Sequence, residues 1–380
     1  MRIATQPWAP ASGPHHPVAL EVLLHGPISR SEIARRLGLS AGSLTRLSTP
    51  LIESGLLVES GERVEGSRGR PSVLLDVVPE SRHFIGVKLT GEGVLGVVTN
   101  LRAAMIATAY APLTSRDPAA VVEVVSSVVH EVAGHVPSVT ALGIGVGGLV
   151  SNRRIVRSAP FLDWTDVDLG DALERSTGLA TVVENDLIAF TEYERWFGAG
   201  RSLDRFAVIT LGAGVGYSLV AGGEVAADED AGIGLIGHWP LDPFGPVCRA
   251  GHRGCAQSVL TTSAIVQGVS AAVGRSVDYD EALTLAEQGE PGARRVVNDA
   301  GRGLGRLIAA VANLTMPEVI VLGGEGVRLA SVASDGIAEG LALDRDPRAR
   351  RIPLVMTSGD DTEWCRGAAV LAIQTYVLES

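Results

Sequence analysis

The chain has 380 residues, 46% hydrophobic and 20% charged, a balance that excludes a disordered chain and leaves room for sizeable cores. A formal net charge of −11 argues against a chain devoted wholly to nucleic-acid binding. The acidity is uneven, because the first eighty residues hold eight Arg and eight Asp or Glu, so the whole excess belongs to the remainder.

After a Pro-rich leader, Pro17–His25 carries apolar residues at helical spacing. Ser29 followed by Glu32 is a capping box, and it opens a helix, Arg30–Leu37, that buries Ile33, Ala34 and Leu37. Gly38 stops that helix because its position favours positive φ. Ser40 caps a second helix whose core residues are Leu44, Leu47, Leu51 and Ile52. Two short helices joined by a glycine turn follow the helix-turn-helix plan, in which the second helix enters the major groove of DNA. Ser40, Ala41, Gly42, Ser43, Thr45 and Arg46 are small, hydroxylated or basic, as a helix seated deep in a groove requires. Gly55 closes the helix, Leu56–Val58 starts a strand and Val73–Leu75 is its partner. The loop between them is expected to be a wing with a slim basic tip, carrying Arg63, Arg68 and Arg70 toward phosphates or a minor groove. The alternative is an oligomerisation module with a solvated loop, which leaves the small helix face and the basic wing unexplained.

From Arg82 the texture changes to β-branched runs ending in glycines, with helical patterns at Ala119–Val136 and Leu169–Thr177 between them. Strands alternating with helices predict an α/β body. It becomes mainly helical from Thr262 to Ala312 and ends on the strand and glycine loop EVIVLGGEGV and a helix, Thr362–Tyr376. Gly212-Ala213-Gly214-Val215-Gly216 is either a phosphate cradle or a tight hairpin turn. Asp186 sits at a strand end, where open α/β sheets bind ligands and where a carboxylate could accept a proton from a sugar hydroxyl. Alternatively, Asn185 and Asp186 cap the next helix, Leu187–Phe197; the two roles are compatible.

Gly232–Gln257 is too broken by glycine and proline to be one helix or strand, yet it gathers His238, Cys248, His252 and Cys255. Four such ligands suit a structural zinc, although their spacing is not that of a zinc finger. Two buried thiols and a hydrogen-bonded histidine are the other reading. Three cysteines do not make a disulfide framework, and Cys365 reads as a buried thiol. No apolar run reaches the roughly 20 residues that span a bilayer, and the opening segment lacks the apolar stretch of a secretory signal. A cytoplasmic protein with no membrane partner is expected.

Taken in order, Gly145–Gly148, Glu184-Asn185-Asp186, Gly198-Ala199-Gly200, Leu211–Gly216, Gly237-His238, the Cys248–Cys255 cluster and Pro317–Gly324 resemble the ROK family of repressors and sugar kinases. The likeness covers essentially the whole chain, and the helix-turn-helix head is similar to that of the repressor branch. It implies a winged helix-turn-helix domain at 1–80 and, at 81–380, a two-lobed body with the actin-like ATPase fold, a sugar site and zinc near it. By this resemblance the ligand site comprises Gly147, Gly148, Asn185, Asp186, Leu235, His238 and Gln257, and the metal site His238, Cys248, His252 and Cys255.

The departures from the family pattern define the member. Family kinases carry an Asp where this chain has Lys88, and a lysine cannot hold magnesium as a carboxylate does. The resemblance therefore implies no ATP and no phosphoryl transfer, with Asp186 a vestigial base position serving as a hydrogen-bond acceptor. Two family glutamates that grip sugar hydroxyls are replaced by Leu235 and Gln257, and the middle zinc cysteine is missing, leaving His252 to complete the set. The expected protein is a DNA-binding repressor, a homodimer or homotetramer on an operator, controlled by a sugar or sugar derivative. A sugar kinase with a DNA-binding head is the alternative, and an effector-independent regulator whose body only oligomerises is a third.

Overall fold

The structure, a computed structural model, describes residues 13–64, 71–228 and 230–378. The chain divides into two compact units, one formed by residues 1–197 with 364–380, the other by 198–363.

The first unit begins with α1 (His16–His25), β1 (Ile28–Ser29), α2 (Arg30–Leu37) and α3 (Ala41–Glu53). Ser29 caps α2 by accepting the Glu32 N–H at 3.2 Å, and Ser40 caps α3 by accepting that of Ser43 at 3.1 Å. Gly38 between them has φ +64, the left-handed value that glycine adopts without penalty. Ile33, Leu44, Leu47 and Leu51 are buried, while Ala34, Leu37 and Ile52 are partly so. Each full burial contributes about 1.5–3 kcal/mol, which is what holds helices this short. Two antiparallel strands follow, β2 (Leu57–Val64) and β3 (Pro71–Val77), with β1 added on the far side of β3.

The rest of this unit carries β4 (His83–Leu89), β5 (Gly93–Asn100), β6 (Met105–Pro112), α4 (Pro118–Ala133) and β7 (Ala141–Val146). A small antiparallel sheet of β8 (Leu149–Ser151), β9 (Ile155–Ala159) and β10 (Trp164–Asp168) precedes α5 (Leu169–Thr177), β11 (Ala180–Asn185) and α6 (Asp186–Trp196). The main sheet has the order β11-β7-β4-β5-β6, with β11, β7 and β4 parallel and β5 and β6 antiparallel.

Strand β4 shows how the two faces are used. Ile85, Val87 and Leu89 join the cluster formed with α4 and α5, whereas Phe84 joins the cluster of the C-terminal helix (Thr362–Val377). The two-residue period places Gly86 and Lys88 on the Phe84 side. A Cβ at Gly86 or at its β7 neighbour Gly143 would lie far inside contact distance of the carbonyls of Cys365 and Ala368. The C-terminal helix thus packs backbone to backbone on the sheet.

The second unit repeats the sheet plan. It contains β12 (Arg205–Leu211), β13 (Val215–Ala221), β14 (Glu224–Val225), α7 (Ala256–Leu260), α8 (Thr262–Val273), α9 (Tyr279–Glu287), α10 (Pro291–Thr315), β15 (Ile320–Gly323), α11 (Arg328–Val332), α12 (Ser334–Asp344) and β16 (Leu354–Met356). The order is β14-β13-β12-β15-β16, again three antiparallel strands continued by two parallel ones. Its core joins the sheet to α8, α9 and α10. No helix among the described residues is long and apolar enough to cross a membrane.

Candidate functional site

The predicted functional residues fall in four places. On the head, Ser40, Ala41, Gly42, Thr45 and Arg46 are exposed at the start of α3, and Ser43 is half-buried. A Cβ added to Gly42 meets nothing within 4 Å, so no packing inside the chain asks for a glycine there. The exposed Thr45 donates its hydroxyl to the Ala41 carbonyl at 3.0 Å. On α2, Glu32 holds both Arg35 and Arg36, and these guanidiniums depress its carboxyl to about 2. Arg63 lies in β2, opposite Ser72, while Arg68 and Arg70 lie outside the described residues.

The second place is the strand-end region of the first unit. Asn185 is buried and caps α6, accepting the N–H groups of Leu187 and Ile188 at 3.0 and 3.2 Å. Its amide also donates to the Gly148 carbonyl at 2.8 Å. Both ends of this amide thus serve the fold, making Asn185 a residue that positions its neighbours. Asp186 follows at the first position of α6 and is half-buried. One of its oxygens accepts the Leu187 N–H at 2.9 Å, and the other lies 3.5 Å from where a Gly147 Cβ would be. Gly148 has φ +158, and a Cβ there would strike the Ser158 carbonyl, so the glycine loop abuts the small sheet. Next to them, burial pushes the Glu184 carboxyl up, against the opposing pull of the Asn185 N–H and of Arg153, whose ion pair spans 3.8 Å.

Lys88 is the third feature. It is the only lysine in the chain, it is 7% exposed, and its Nζ lies 4.5 Å from the ring centre of Trp364. Trp364 is itself stacked on Phe190 at 4.8 Å. The aromatic face stabilises a cation at this strand, where sequence reasoning looked for the loss of a carboxylate. Trp364 and Phe190 were missed, because only the fold brings α6 and the C-terminal helix together.

The fourth place is the Gly232–Gln257 segment of the second unit. His238 closes a short 3₁₀ turn, Leu235–His238, in which Leu235 is 64% exposed. Isolated bridges pair Pro240 with Cys255 and Val247 with Arg253, folding the segment back on itself. Gly254, at φ +57, lies so close to Asp242 that no Cβ would fit. The knuckle brings Cys248 Sγ to 3.8 Å from both His238 Nδ1 and His252 Nδ1. Ligand atoms of His238, Cys248 and His252 all lie within 4.8 Å of one another. Cys255 is buried, with its Sγ 3.9 Å from His238 Nδ1 and 3.8 Å from the Ser258 hydroxyl. In a zinc tetrahedron sulfur and nitrogen ligands stand about 3.6 Å apart, so His238, Cys248 and His252 fit such an ion with small adjustments, while Cys255, the fourth expected ligand, is not among the donors that all lie within 4.8 Å of one another. For Cys248 the cost of burial, which raises a thiol, is outweighed by the N–H groups of His252, Ala250 and Gly251 and the Cys255 thiol, which lower it. Gln257, at the start of α7, places its Oε1 3.2 Å from where a Gly237 Cβ would be.

Comparison with known proteins gives this arrangement a context. The ROK family pattern matches residues 84–375. The DNA-binding transcriptional repressor Mlc of Escherichia coli K12 is 24% identical over 367 residues, spanning 92% of this chain and 90% of its own. A crystal structure of a ROK family transcriptional regulator, a homologue of E. coli Mlc, aligns with a TM-score of 0.82 at 26% identity, covering 96% of this chain and 98% of its own. A ROK glucokinase from Streptomyces griseus, solved with glucose and AMPPNP, aligns with a TM-score of 0.67 at 26% identity, covering 77% of this chain and 99% of its own. Its sheets share the actin-like fold of ROK sugar kinases, and the chain belongs to the ROK family.

Proposed function

We propose that this protein is a DNA-binding transcriptional repressor whose ROK body senses a carbohydrate or a carbohydrate derivative. One observation carries this reading: the likeness to a ROK transcriptional regulator runs through the head to 96% of the chain, while the likeness to the glucokinase stops at 77%. The first eighty residues form a winged helix-turn-helix domain. In it α3 is the recognition helix, presenting Ala41, Gly42, Thr45 and Arg46, with Ser40 and Ser43 at its start, and Arg63, Arg68 and Arg70 belong to the wing. Two-fold pairing of the bodies, as a dimer or within a tetramer, would set two heads on a palindromic operator.

In the body, Gly147, Gly148, Asp186, His238 and Gln257 contribute to sugar recognition, Asn185 holds the Gly148 loop in place, and Leu235 supplies an apolar contact. Zinc, held by His238, Cys248, His252 and Cys255, would fix the knuckle and so orient the free edge of His238. Lys88 replaces the carboxylate that magnesium needs, which makes the body a sensor without phosphoryl transfer.

A thermal-shift screen of the full chain against sugars, amino sugars and sugar phosphates tests the sensor. A ligand that binds only the native state at a hundred times its Kd stabilises it by about 2.7 kcal/mol. ADP release in the presence of a hexose would overturn the assignment in favour of a kinase that carries a DNA-binding head. Operator binding indifferent to every stabilising ligand would leave a regulator whose body only oligomerises. For the wing, Arg68→Ala with Arg70→Ala should weaken operator binding and flatten its salt dependence by roughly one unit of slope per lost phosphate contact. An unchanged slope would remove these arginines from the interface.

A further inference from the structure

The glycine turn between β12 and β13 already carries an anion, and that anion belongs to the chain. The turn runs from Leu211 to Val215, which are paired across the hairpin, and the Gly212 N–H closes it on the Gly214 carbonyl at 3.0 Å. The N–H of Ala213, at the tip, donates to Oε1 of Glu325 at 2.7 Å. Gly212 is the reason the carboxylate can come so close, since a Cβ there would overlap the Glu325 carboxyl group.

The contact is built into the sheet. Strands β12 and β15 are parallel neighbours with Thr210 opposite Gly323, so their two following turns lie side by side. Gly324, at φ +87, has no space for a Cβ against Leu211, and the Gly326 N–H donates to the Leu211 carbonyl at 2.8 Å. On the other side the Tyr279 hydroxyl donates to the Gly326 carbonyl at 2.7 Å. With its neighbours on both sides tied down, Glu325 is held over the tip of the facing turn.

A backbone N–H at a glycine turn is the donor that phosphate oxygens use, and a carboxylate competes with phosphate for it in both shape and charge. We propose that Glu325 is an intramolecular stand-in for phosphate, occupying the anion seat of the Leu211–Val215 turn and thereby excluding the polyphosphate chain of a nucleotide. Specificity against nucleotides then resides in this side chain as well as in Lys88. The idea rests on the reading of the body as a sensor without phosphoryl transfer, and it adds the residue that keeps this turn closed to nucleotides.

The test is isothermal titration of the full chain with tripolyphosphate, and separately with ATP and Mg²⁺, comparing wild type with Glu325→Gln, Glu325→Ala and Glu325→Asp. Removing one negative charge and freeing one charge-accepting donor should tighten tripolyphosphate binding by on the order of ten- to a hundredfold in the Gln and Ala variants. The Asp variant, with its charge retained on a shorter arm, should fall between them and wild type. It also gives a folded comparison if the neutral variants do not fold. Equal gains for tripolyphosphate and for ATP would identify a seat for bare phosphates, and a gain for ATP alone would identify one for nucleotides. Affinities equal to wild type across the variants, or a wild type that already binds ATP, would overturn the proposal. Loss of operator binding by the wild type would instead overturn the repressor assignment and leave the result on Glu325 standing.

Discussion

Glycine 42 separates packing from function at a single residue. Its Cβ position opens onto empty space, and a glycine within a helix costs about 1 kcal/mol relative to alanine. Gly42→Ala should therefore leave the melting temperature unchanged or slightly higher, while weakening operator affinity because the helix no longer seats as deeply. If affinity is unaffected, α3 does not meet DNA through this face. His252 makes a second separable case. The family pattern has a cysteine where this chain has Ala250, the proposed zinc set takes His252 two positions later in its place, and its Nδ1 lies 3.8 Å from Cys248 Sγ. With the proposed zinc at one ion per chain in the parent, His252→Ala should lower it to a small fraction, measured by elemental analysis of both proteins after dialysis. The variant should also melt at a lower temperature, and its melting should no longer respond to chelators. Full zinc retention would remove His252 from the ligand set, and a wild type that holds no zinc after dialysis would return the cluster to a pair of thiols beside a hydrogen-bonded histidine.

At the scale of elements, local signals were the legible ones. The caps at Ser29 and Ser40, the glycine stop at Gly38 and the helix over Leu169–Thr177 follow from residues within one turn of one another, and the structure places them there. The helix expected over Ala119–Val136 runs Pro118–Ala133, because Asp117 caps its start and Gly134 ends it. The sequence points to Asn185 both as a ligand group and as a cap. The cap is a matter of sequence neighbours, but the Gly148 contact that uses the rest of its amide depends on β7 and β11 lying in register. Sheet register likewise decides what Gly86 and Gly143 are for: they are paired across β4 and β7 and receive the backbone of the C-terminal helix. Nothing near either glycine in sequence points to that helix, more than two hundred residues away. Gly143→Ala should destabilise the first unit by roughly 1–3 kcal/mol or more, since the obstruction is backbone and cannot swing aside. Chemical denaturation should show a lowered midpoint with an unchanged slope. A neutral result would mean that the helix and the sheet can separate at little cost.

At the scale of the whole molecule, the head at 1–80 and the first sheet are buried against each other. They lie in one compact unit and share a core. Val18, Leu44, Leu57 and Leu75 of the head share one continuous apolar cluster with Phe84, Leu101, Trp196, Leu371 and Val377. Arg102, from the turn after β5, adds polar contacts to the head by donating to the Gly26 carbonyl at 2.9 Å and pairing with Asp76. Sequence texture could mark the change of composition near residue 80, but not that the surfaces on either side are buried together. The consequence is mechanical. A head on a loose tether would search for its half-site independently, whereas this head shares a core with the first sheet, so on the proposed reading a ligand-driven shift of that unit would be carried to α3. A chain beginning at Arg82 should accordingly expose Leu101, Trp196 and Val377, lose solubility and melt lower than the full chain. Calorimetry of the full chain should show no separate transition for the head. A headless body as soluble and as stable as the parent, or an independent melting of the head, would show that head and body are joined by a tether alone. The spacing of the two heads would then be free of the state of the sensor.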